Sequence, residues 1–227
     1  MLYVTRHGET TWNAQGLVCG RADVPLTEKG QMQAQKLAEK VVDLPVPITK
    51  IIHSPLQRAR DTAQAVADRL SLPLTVDERL VEMDFGDYDG LPSKDENFQK
   101  ARLAFAVRFP NGESVLDVYA RIVPLLKECI EDEENVYLLV CHNALIRVIN
   151  AYFHPMPNEG FFTFMVDNTE LVSYEREPAA DSADSHQRAF YSAPRIPSFA
   201  WTNWVKKAQY GVAISYFCPF RQTAPLM

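Results

Sequence analysis

The sequence lacks several features that would define its class at once. Its four cysteines (Cys19, Cys129, Cys141 and Cys218) show no CxxC pair and no other zinc-ligand spacing. Free thiols in a reducing compartment are therefore the expectation. No apolar run approaches the length of a membrane span, and no basic and apolar leader opens the chain. We expect a cytoplasmic protein with no membrane partner.

An excess of basic residues is also missing. The 23 lysines and arginines are outnumbered by 29 aspartates and glutamates, which gives a net charge of −6 for the 227 residues. Such a chain is not expected to offer a general surface for nucleic acid. If its ligand is an anion, the attraction has to come from a local cluster of arginines.

Composition divides the chain near position 177. Residues 178–227 contain five basic and two acidic residues, hence a charge of +3, which leaves −9 for residues 1–177. A linker-like stretch lies at 179–185, and the aromatic residues beyond it follow neither a helical nor a strand period. We predict a catalytic domain over residues 1–177 and a tail over residues 178–227 whose structure and role are unassigned.

Within the first 177 residues, short apolar runs alternate with segments of helical period. Strands are predicted at 2–4, 48–53, 72–76 and 136–141, with a terminal pair at 161–166 and 171–174. Helices are predicted at 28–42, 56–70, 113–130 and 144–153, with a mixed, helix-prone stretch at 94–109. This order predicts an α/β fold with a largely parallel sheet.

Two of the predicted helices carry apolar stripes that are expected to face the core. Thr27 is the expected N-cap of the first helix, whose stripe consists of Met32, Ala34, Leu37, Ala38, Val41 and Val42. The stripe of the helix at 113–130 consists of Val115, Leu116, Val118, Tyr119, Ile122, Leu125, Leu126 and Cys129.

Side chains of complementary chemistry follow three of the predicted strands. The first strand runs into Arg6 and His7. The second is followed closely by Arg58 at the start of a helix, and the fourth ends at His142. Because the carboxyl ends of parallel strands meet at one edge of a sheet, these groups can converge there, and Glu82 can reach the same edge from a loop. Arginines, histidines and helix N-termini together favour binding of a phosphoryl group.

His7 is the candidate nucleophile of such a site. A neutral imidazole can attack phosphorus and form a phosphohistidine, which divides one difficult displacement into two steps. The neighbouring Arg6 favours the neutral imidazole and can hold the phosphoryl oxygens. Glu82 can protonate the leaving oxygen and later deprotonate water. A protonated His142 would neutralise charge in the transition state.

With these motifs the chain resembles the histidine phosphatase superfamily, in its phosphoglycerate-mutase-like branch. The resemblance covers about residues 2–175 and rests on Arg6-His7-Gly8-Glu9-Thr10, Asn13, Leu26-Thr27-Glu28-Lys29-Gly30, Ser54-Pro55-Leu56-Gln57-Arg58-Ala59, Glu82-Met83-Asp84-Phe85-Gly86, Gly112-Glu113-Ser114 and Cys141-His142. It implies a three-layer sandwich with a mostly parallel central sheet and helices on both faces. It also implies hydrolysis without a metal and without a dissociable cofactor.

The resemblance further implies a role for each matching position. His7 would be the phosphorylated nucleophile and Glu82 the proton donor. The phosphate pocket would be lined by Arg6, Asn13, Arg58 and His142. Members of the family commonly have two glycines after the second histidine, where this chain has Asn143 and Ala144. The backbone N–H of Asn143 can still be offered to phosphate.

Hydrolysis is favoured over mutase chemistry. Mutases of this family carry a longer insertion with a lysine and paired arginines for the substrate carboxylate, whereas the stretch 91–109 is short and has no adjacent arginine pair. We predict a metal-independent phosphomonoester hydrolase acting on a small phosphorylated substrate. The alternatives are a cofactor-dependent phosphoglycerate mutase and a non-catalytic phosphate-binding or interaction protein. Selectivity is expected from the loops at 11–25 and 91–112, and neither the substrate nor the oligomeric state is predicted.

Overall fold

The computed structural model describes residues 1–175, so the predicted boundary at 177 and the tail at 178–227 lie outside the described residues. Five strands form one sheet: β1 (Leu2–Arg6), β2 (Lys50–His53), β3 (Leu74–Val76), β4 (Tyr137–Cys141) and β5 (Leu171–Tyr174). The α-helices are α1 (Thr11–Gln15), α2 (Glu28–Lys40), α3 (Gln57–Leu70), α4 (Glu96–Ala101), α5 (Val115–Glu131), α6 (Asn143–Phe153) and α7 (Asn158–Thr163). Single 3₁₀ turns lie at Val41–Asp43, Glu78–Leu80 and Gly86–Tyr88.

The sheet has the strand order β3-β2-β4-β1-β5, and β5 alone among these five runs antiparallel to its neighbour. The largely parallel sheet is therefore confirmed. Register determines where the strands end: Arg6 pairs with Cys141, and His53 pairs with Val140. The carboxyl ends of β1, β2 and β4 consequently lie side by side at one edge of the sheet.

Alternate side chains of the central strand supply two separate cores. Leu138 and Val140 pack in a cluster with the small and branched residues of α2 and α3. Leu139 and Cys141 belong to the opposite cluster, with α5 and α6. This alternation is expected because successive strand residues point to opposite faces. Helices thus cover both faces, and the predicted three-layer α/β sandwich is confirmed.

The apolar stripes of α2 and α5 are narrower than predicted. Thr27 caps α2 as expected, because its side chain accepts a hydrogen bond from the backbone N–H of Gly30. Met32 is 59% exposed and Val42 is 44% exposed, and on α5 Leu116 and Tyr119 are also exposed. At about 100° of rotation per residue these positions turn away from the residues that face the sheet. Assigning them to the core was wrong.

The strand predicted at 161–166 is also wrong. Its first half belongs to α7, which starts after Pro157, and residues 164–166 continue as non-helical backbone. A proline at the start of a helix costs no hydrogen bond there, which favours this start. The backbone after α7 is bound by side chains, since Phe164 and Val166 accept hydrogen bonds from Arg147 and Arg6. The sheet therefore gains β5 at this edge without a partner hairpin strand.

Of the stretch predicted as helix-prone at 94–109, α4 alone is α-helical, with Asp95 as its N-cap. The remainder forms turns and irregular backbone, and Phe98 on α4 and Phe109 after it are both buried. Within residues 1–175, no helix is long and apolar enough to cross a membrane.

Candidate active site

The edge formed by β1, β2 and β4 brings the two predicted histidines together. His7 follows β1 directly, and its backbone N–H donates to the carbonyl of Cys141 at 3.1 Å. His142 follows β4 and stands at the N-cap position of α6. Their ring centroids are 5.0 Å apart, with the planes inclined at 57°. Two positions 135 residues apart in the chain are thereby fixed by the parallel register of β1 and β4.

The imidazole of His7 has a defined orientation. Its Nδ1 lies 2.7 Å from the carbonyl oxygen of Gly8. Since a carbonyl oxygen accepts hydrogen bonds only, Nδ1 carries the proton and the lone pair is on Nε2. Burial lowers the pKa of His7 well below 6.5, and the charges of Arg58 and Arg6 lower it further. The ring is therefore neutral near pH 7, as an attacking nitrogen has to be.

Both ring nitrogens of His142 are occupied. Nδ1 accepts a hydrogen bond from Arg58 Nε at 3.3 Å, so Nε2 carries the proton and donates to Ser54 Oγ at 2.7 Å. Burial is the main cause that lowers the pKa of His142 well below 6.5, followed by the charges of Arg58 and His7. In this state His142 is neutral and held in place by β2 and α3.

Arg58 is fully buried and organises the loop that follows α1. Its two terminal nitrogens donate to the carbonyls of Ala22 at 2.8 Å and Gly20 at 2.6 Å. Asp89 accepts from the backbone N–H groups of the same two residues. Both the backbone N–H groups and the carbonyls of this loop are therefore hydrogen-bonded to side chains. Arg58 and His142 are not among the residues that line the cavity described below, and their phosphate contacts stay a prediction.

Glu82 is also buried. Its Oε1 accepts from the backbone N–H of Met83 at 2.8 Å, and its Oε2 lies 3.4 Å from the backbone nitrogen of Ala144. Arg121 donates to the carbonyls of Arg79 and Glu82 and so holds this loop. Burial raises the pKa of Glu82, although the bond from Met83 and the charge of Arg58 oppose the shift. The carboxyl thus holds a proton more readily than an exposed glutamate.

Arg6, Asn13 and Asn143 complete the set predicted from the sequence. Arg6 donates to the carbonyl of Val166 at 3.2 Å, and its buried Nε has no hydrogen-bond partner among residues 1–175. The amide oxygen of Asn13 accepts a hydrogen bond from the backbone N–H of Thr10, the N-cap residue of α1. Asn143 accepts from the N–H of Val166 at 3.2 Å. The unpartnered Nε of Arg6 is a donor that an anion could satisfy.

A cavity of about 170 Å³ opens beside these groups. Its lining includes His7, Arg6, Asn13, Glu82 and Asn143, and we call this part the reacting end. The predicted specificity loops also contribute walls, at positions 17–19 and at several positions between 93 and 109. Within residues 1–175, no group of three or more His, Cys, Asp or Glu side chains is arranged to hold a metal ion.

Arg147, Phe161 and Phe162 are among the cavity residues that were not predicted from the sequence, and Arg102 was predicted only as part of the specificity loop at 91–112. One signal was available for Arg147, because it follows Asn143 by four positions and so shares its face of α6. The two phenylalanines were assigned to a strand, and no local pattern connects Arg102 with the strand ends.

The fold and the site together define a class. Arginines, a neutral imidazole with a free nitrogen and a buried carboxyl with a raised pKa at a parallel-sheet edge suit an enzyme that handles phosphoryl groups. The model of the histidine phosphatase superfamily (branch 1) matches residues 2–187. The chain belongs to this superfamily, and the predicted family and enzyme class are confirmed.

Curated relatives and solved structures agree with this assignment. The probable phosphoglycerate mutase GpmB of Erwinia tasmaniensis is 36% identical over 187 residues, covering 78% of this chain and 86% of that protein. A mycobacterial glucosyl-3-phosphoglycerate phosphatase is 29% identical with a TM-score of 0.66, covering 75% of this chain and 87% of the other. The alpha-ribazole phosphatase of Shigella flexneri is 31% identical with a TM-score of 0.64 and the same two coverages.

Proposed function

We propose that this protein is a metal-independent phosphomonoester hydrolase that works through a phosphohistidine on His7. The observation that carries the proposal is the state of His7 itself. Its ring is neutral, Nδ1 is bound to the carbonyl of Gly8, and Nε2 retains its lone pair at a cavity that also contains Arg6 and Glu82. A nucleophile, a cation and a proton donor thus share one small space.

In the first half of the reaction, the ester phosphate binds to Arg6 and Asn13 and to the N-terminus of α6 at Asn143. Nε2 of His7 attacks phosphorus while the bond from phosphorus to the ester oxygen breaks. Glu82 transfers its proton to that oxygen, so the alcohol leaves as a neutral molecule. The raised pKa of Glu82 supports this role, because the carboxyl must be protonated before the step.

In the second half, a water molecule takes the place of the alcohol. Glu82, now a carboxylate, accepts a proton from the water as its oxygen attacks phosphorus. The bond from Nε2 to phosphorus breaks, inorganic phosphate leaves, and His7 and protonated Glu82 are restored. The same carboxyl therefore acts first as an acid and then as a base.

Arg58 and His142 are assigned to charge stabilisation. They touch each other, and the ring of His142 lies 5.0 Å from that of His7. The phosphoryl group adds negative charge close to them, which favours protonation of His142. A protonated His142 next to Arg58 would then stabilise the charge that develops in the transition state.

A mutase is the second candidate, because relatives 36% identical to this chain carry the name probable phosphoglycerate mutase. In that case the phosphoryl group on His7 would return to a bound phosphoglycerate instead of water. The two candidates share the first half-reaction and differ in the acceptor of the second.

The distinguishing experiment measures phosphate release from a panel of phosphomonoesters, including 3-phosphoglycerate, in the presence of a chelator. A parallel coupled assay follows conversion of 3-phosphoglycerate to 2-phosphoglycerate. We expect release without interconversion, lost in His7→Ala and kept in the control His154→Ala, whose histidine is exposed. Interconversion with little release would establish the mutase, and no turnover in either assay would favour a binding protein.

A further inference from the structure

Two arginines that line the cavity have no part in the proposed hydrolysis. Arg102 follows α4 and Arg147 lies on α6, and we call the part of the cavity that they line the distal end. The charge of Arg102 lowers the pKa of Arg147. The sequence has no adjacent arginine pair in this region, but the fold places one arginine from each of two distant segments on the same cavity.

Neither arginine forms a salt bridge with a carboxylate among residues 1–175, although the charge of Glu82 acts on Arg147 at longer range. Arg102 donates to the Gln99 side chain at 3.3 Å and to the Phe162 carbonyl at 3.0 Å. Arg147 donates through Nε to the Phe164 carbonyl at 2.8 Å. Most described arginines near the surface, by contrast, pair with aspartate or glutamate.

Burial makes this arrangement unfavourable in the empty cavity. It lowers the pKa of Arg102, and together with the charge of Arg102 it lowers that of Arg147 to about 10. Both side chains are still charged at neutral pH. Two partly buried like charges without a salt-bridge partner are stabilised when an anion binds between them, and arginine presents paired donors to a carboxylate or a phosphate.

Aromatic rings form part of the cavity wall. Phe98 and Phe109 stack with ring centroids 5.9 Å apart. Phe161 and Phe162 stand edge to face at 5.2 Å. All four line the cavity, whose volume of about 170 Å³ suits a small ligand. A polar sugar would leave its hydroxyls without partners against these rings, whereas a flat apolar group would be accommodated.

We propose that Arg102 and Arg147 form a subsite for a second anionic group, and that the substrate is a small phosphomonoester with an apolar, preferably aromatic, body ending in that group. The phosphate lies at His7, the body lies between the phenylalanines, and the distal carboxylate or second phosphate binds the arginine pair. This inference rests on the proposed hydrolysis for the position of the phosphate.

The test compares three aryl esters: phenyl phosphate, 4-carboxyphenyl phosphate and 4-carbamoylphenyl phosphate, whose distal group is neutral. Charge-assisted hydrogen bonds predict that kcat/KM is about 10- to 100-fold higher for the carboxylate than for the amide. In Arg102→Gln and Arg147→Gln this ratio should fall toward one. Hydroquinone bisphosphate in the same series shows whether a second phosphate is preferred to a carboxylate.

Arg108→Gln is the matched control, because Arg108 is an exposed arginine of the same segment that pairs with Asp117 and does not line the cavity. Its carboxylate-to-amide ratio should equal that of the wild type. Thermal melting identifies any variant that fails to fold. Arg147→Gln could unfold because its hydrogen bond to Phe164 is lost. In that case the carboxylate-to-amide ratio of kcat/KM in the wild type and in Arg102→Gln still tests the subsite.

A wild-type ratio near one, or a ratio unchanged in Arg102→Gln, would overturn the subsite even if every ester is hydrolysed. Absence of hydrolysis for all esters would instead contradict the proposed function. The subsite then remains testable by calorimetry on His7→Ala: binding of 4-carboxyphenyl phosphate should be about tenfold tighter than binding of the amide. Equal binding of the two esters would overturn it.

Discussion

The two ends of the cavity differ in the chemical groups that they contain. At the reacting end the three chemically important groups that line the cavity are bonded to backbone: His7 to Gly8, Glu82 to Met83, and Arg6 to Val166. At the distal end Arg102 and Arg147 also donate to backbone carbonyls, and neither forms a salt bridge among the described residues. The reacting end combines a nucleophile and a carboxyl group with its arginine, whereas the distal end offers two cations near aromatic rings.

This difference separates chemistry from selectivity. Preorganised groups act on any phosphomonoester that reaches them, because they recognise only the transferred group. The arginine pair discriminates between esters by the charge of the group that lies opposite the ester phosphate. Substitutions at one end should therefore change the reaction, and substitutions at the other should change the choice of substrate.

The largest effect is expected for Glu82→Gln, which removes the proton donor from the reacting end. Esters with poor leaving groups, such as alkyl phosphates, should lose about 10²- to 10⁴-fold in kcat/KM, whereas aryl esters with good leaving groups should lose much less. The carboxylate-to-amide ratio should stay at the wild-type value, because the distal arginines are intact. Steady-state kinetics with a series of esters provides the measurement.

The control for this substitution is Glu78→Gln, since Glu78 is an exposed glutamate on the 3₁₀ turn before Glu82. An equal loss for alkyl and aryl esters in Glu82→Gln would remove Glu82 as the acid. A change in the carboxylate-to-amide ratio would show that the two ends are coupled.

A smaller effect is expected for the pH profile. Burial and neighbouring arginines lower the pKa of His7 below 6.5, so its imidazole stays neutral into the acidic range. Burial raises the pKa of Glu82 above 4.5, so its carboxyl keeps a proton to higher pH than an exposed glutamate. For alkyl esters, kcat/KM should rise with pH through the lowered pKa of His7 and fall through the raised pKa of Glu82.

The profile of Glu82→Gln identifies the falling limb. The substrate phosphate itself titrates near pH 6, but it does so equally for both proteins. The decrease in kcat/KM that results from deprotonation of Glu82 should therefore be present in the wild type and absent from the variant. A falling limb of the same position and depth in both proteins would contradict the assignment.

The reacting end could be predicted from the sequence because its residues are marked locally. Arg6, His7 and His142 directly follow apolar runs, and parallel strands bring such ends together without further information. The order of short strands and helices was enough for the α/β fold. The tautomers of His7 and His142, in contrast, depend on Gly8, Arg58 and Ser54, whose positions only the folded structure provides.

The distal end could not be predicted as a unit because its two arginines come from distant segments. Arg102 and Arg147 line one cavity only after α6 and the segment after α4 have packed at the site. Phe161 and Phe162 belong to an apolar run whose length fits a strand as well as a helix turn. The choice of helix follows from Pro157 and from the hydrogen bonds that side chains make to residues 164 and 166.

The most direct test of the central claim is detection of a phosphoryl group on His7. Glu82→Gln is mixed with an aryl phosphate, whose good leaving group departs without an acid, while hydrolysis of the phosphoenzyme is slowed for lack of a base. Alkaline quenching preserves a phosphohistidine, and peptide mass spectrometry locates it. The account predicts label on His7, none in Glu82→Gln carrying His7→Ala, and retained label with the control His154→Ala. Turnover without a phosphoenzyme, or label on another residue, would contradict it.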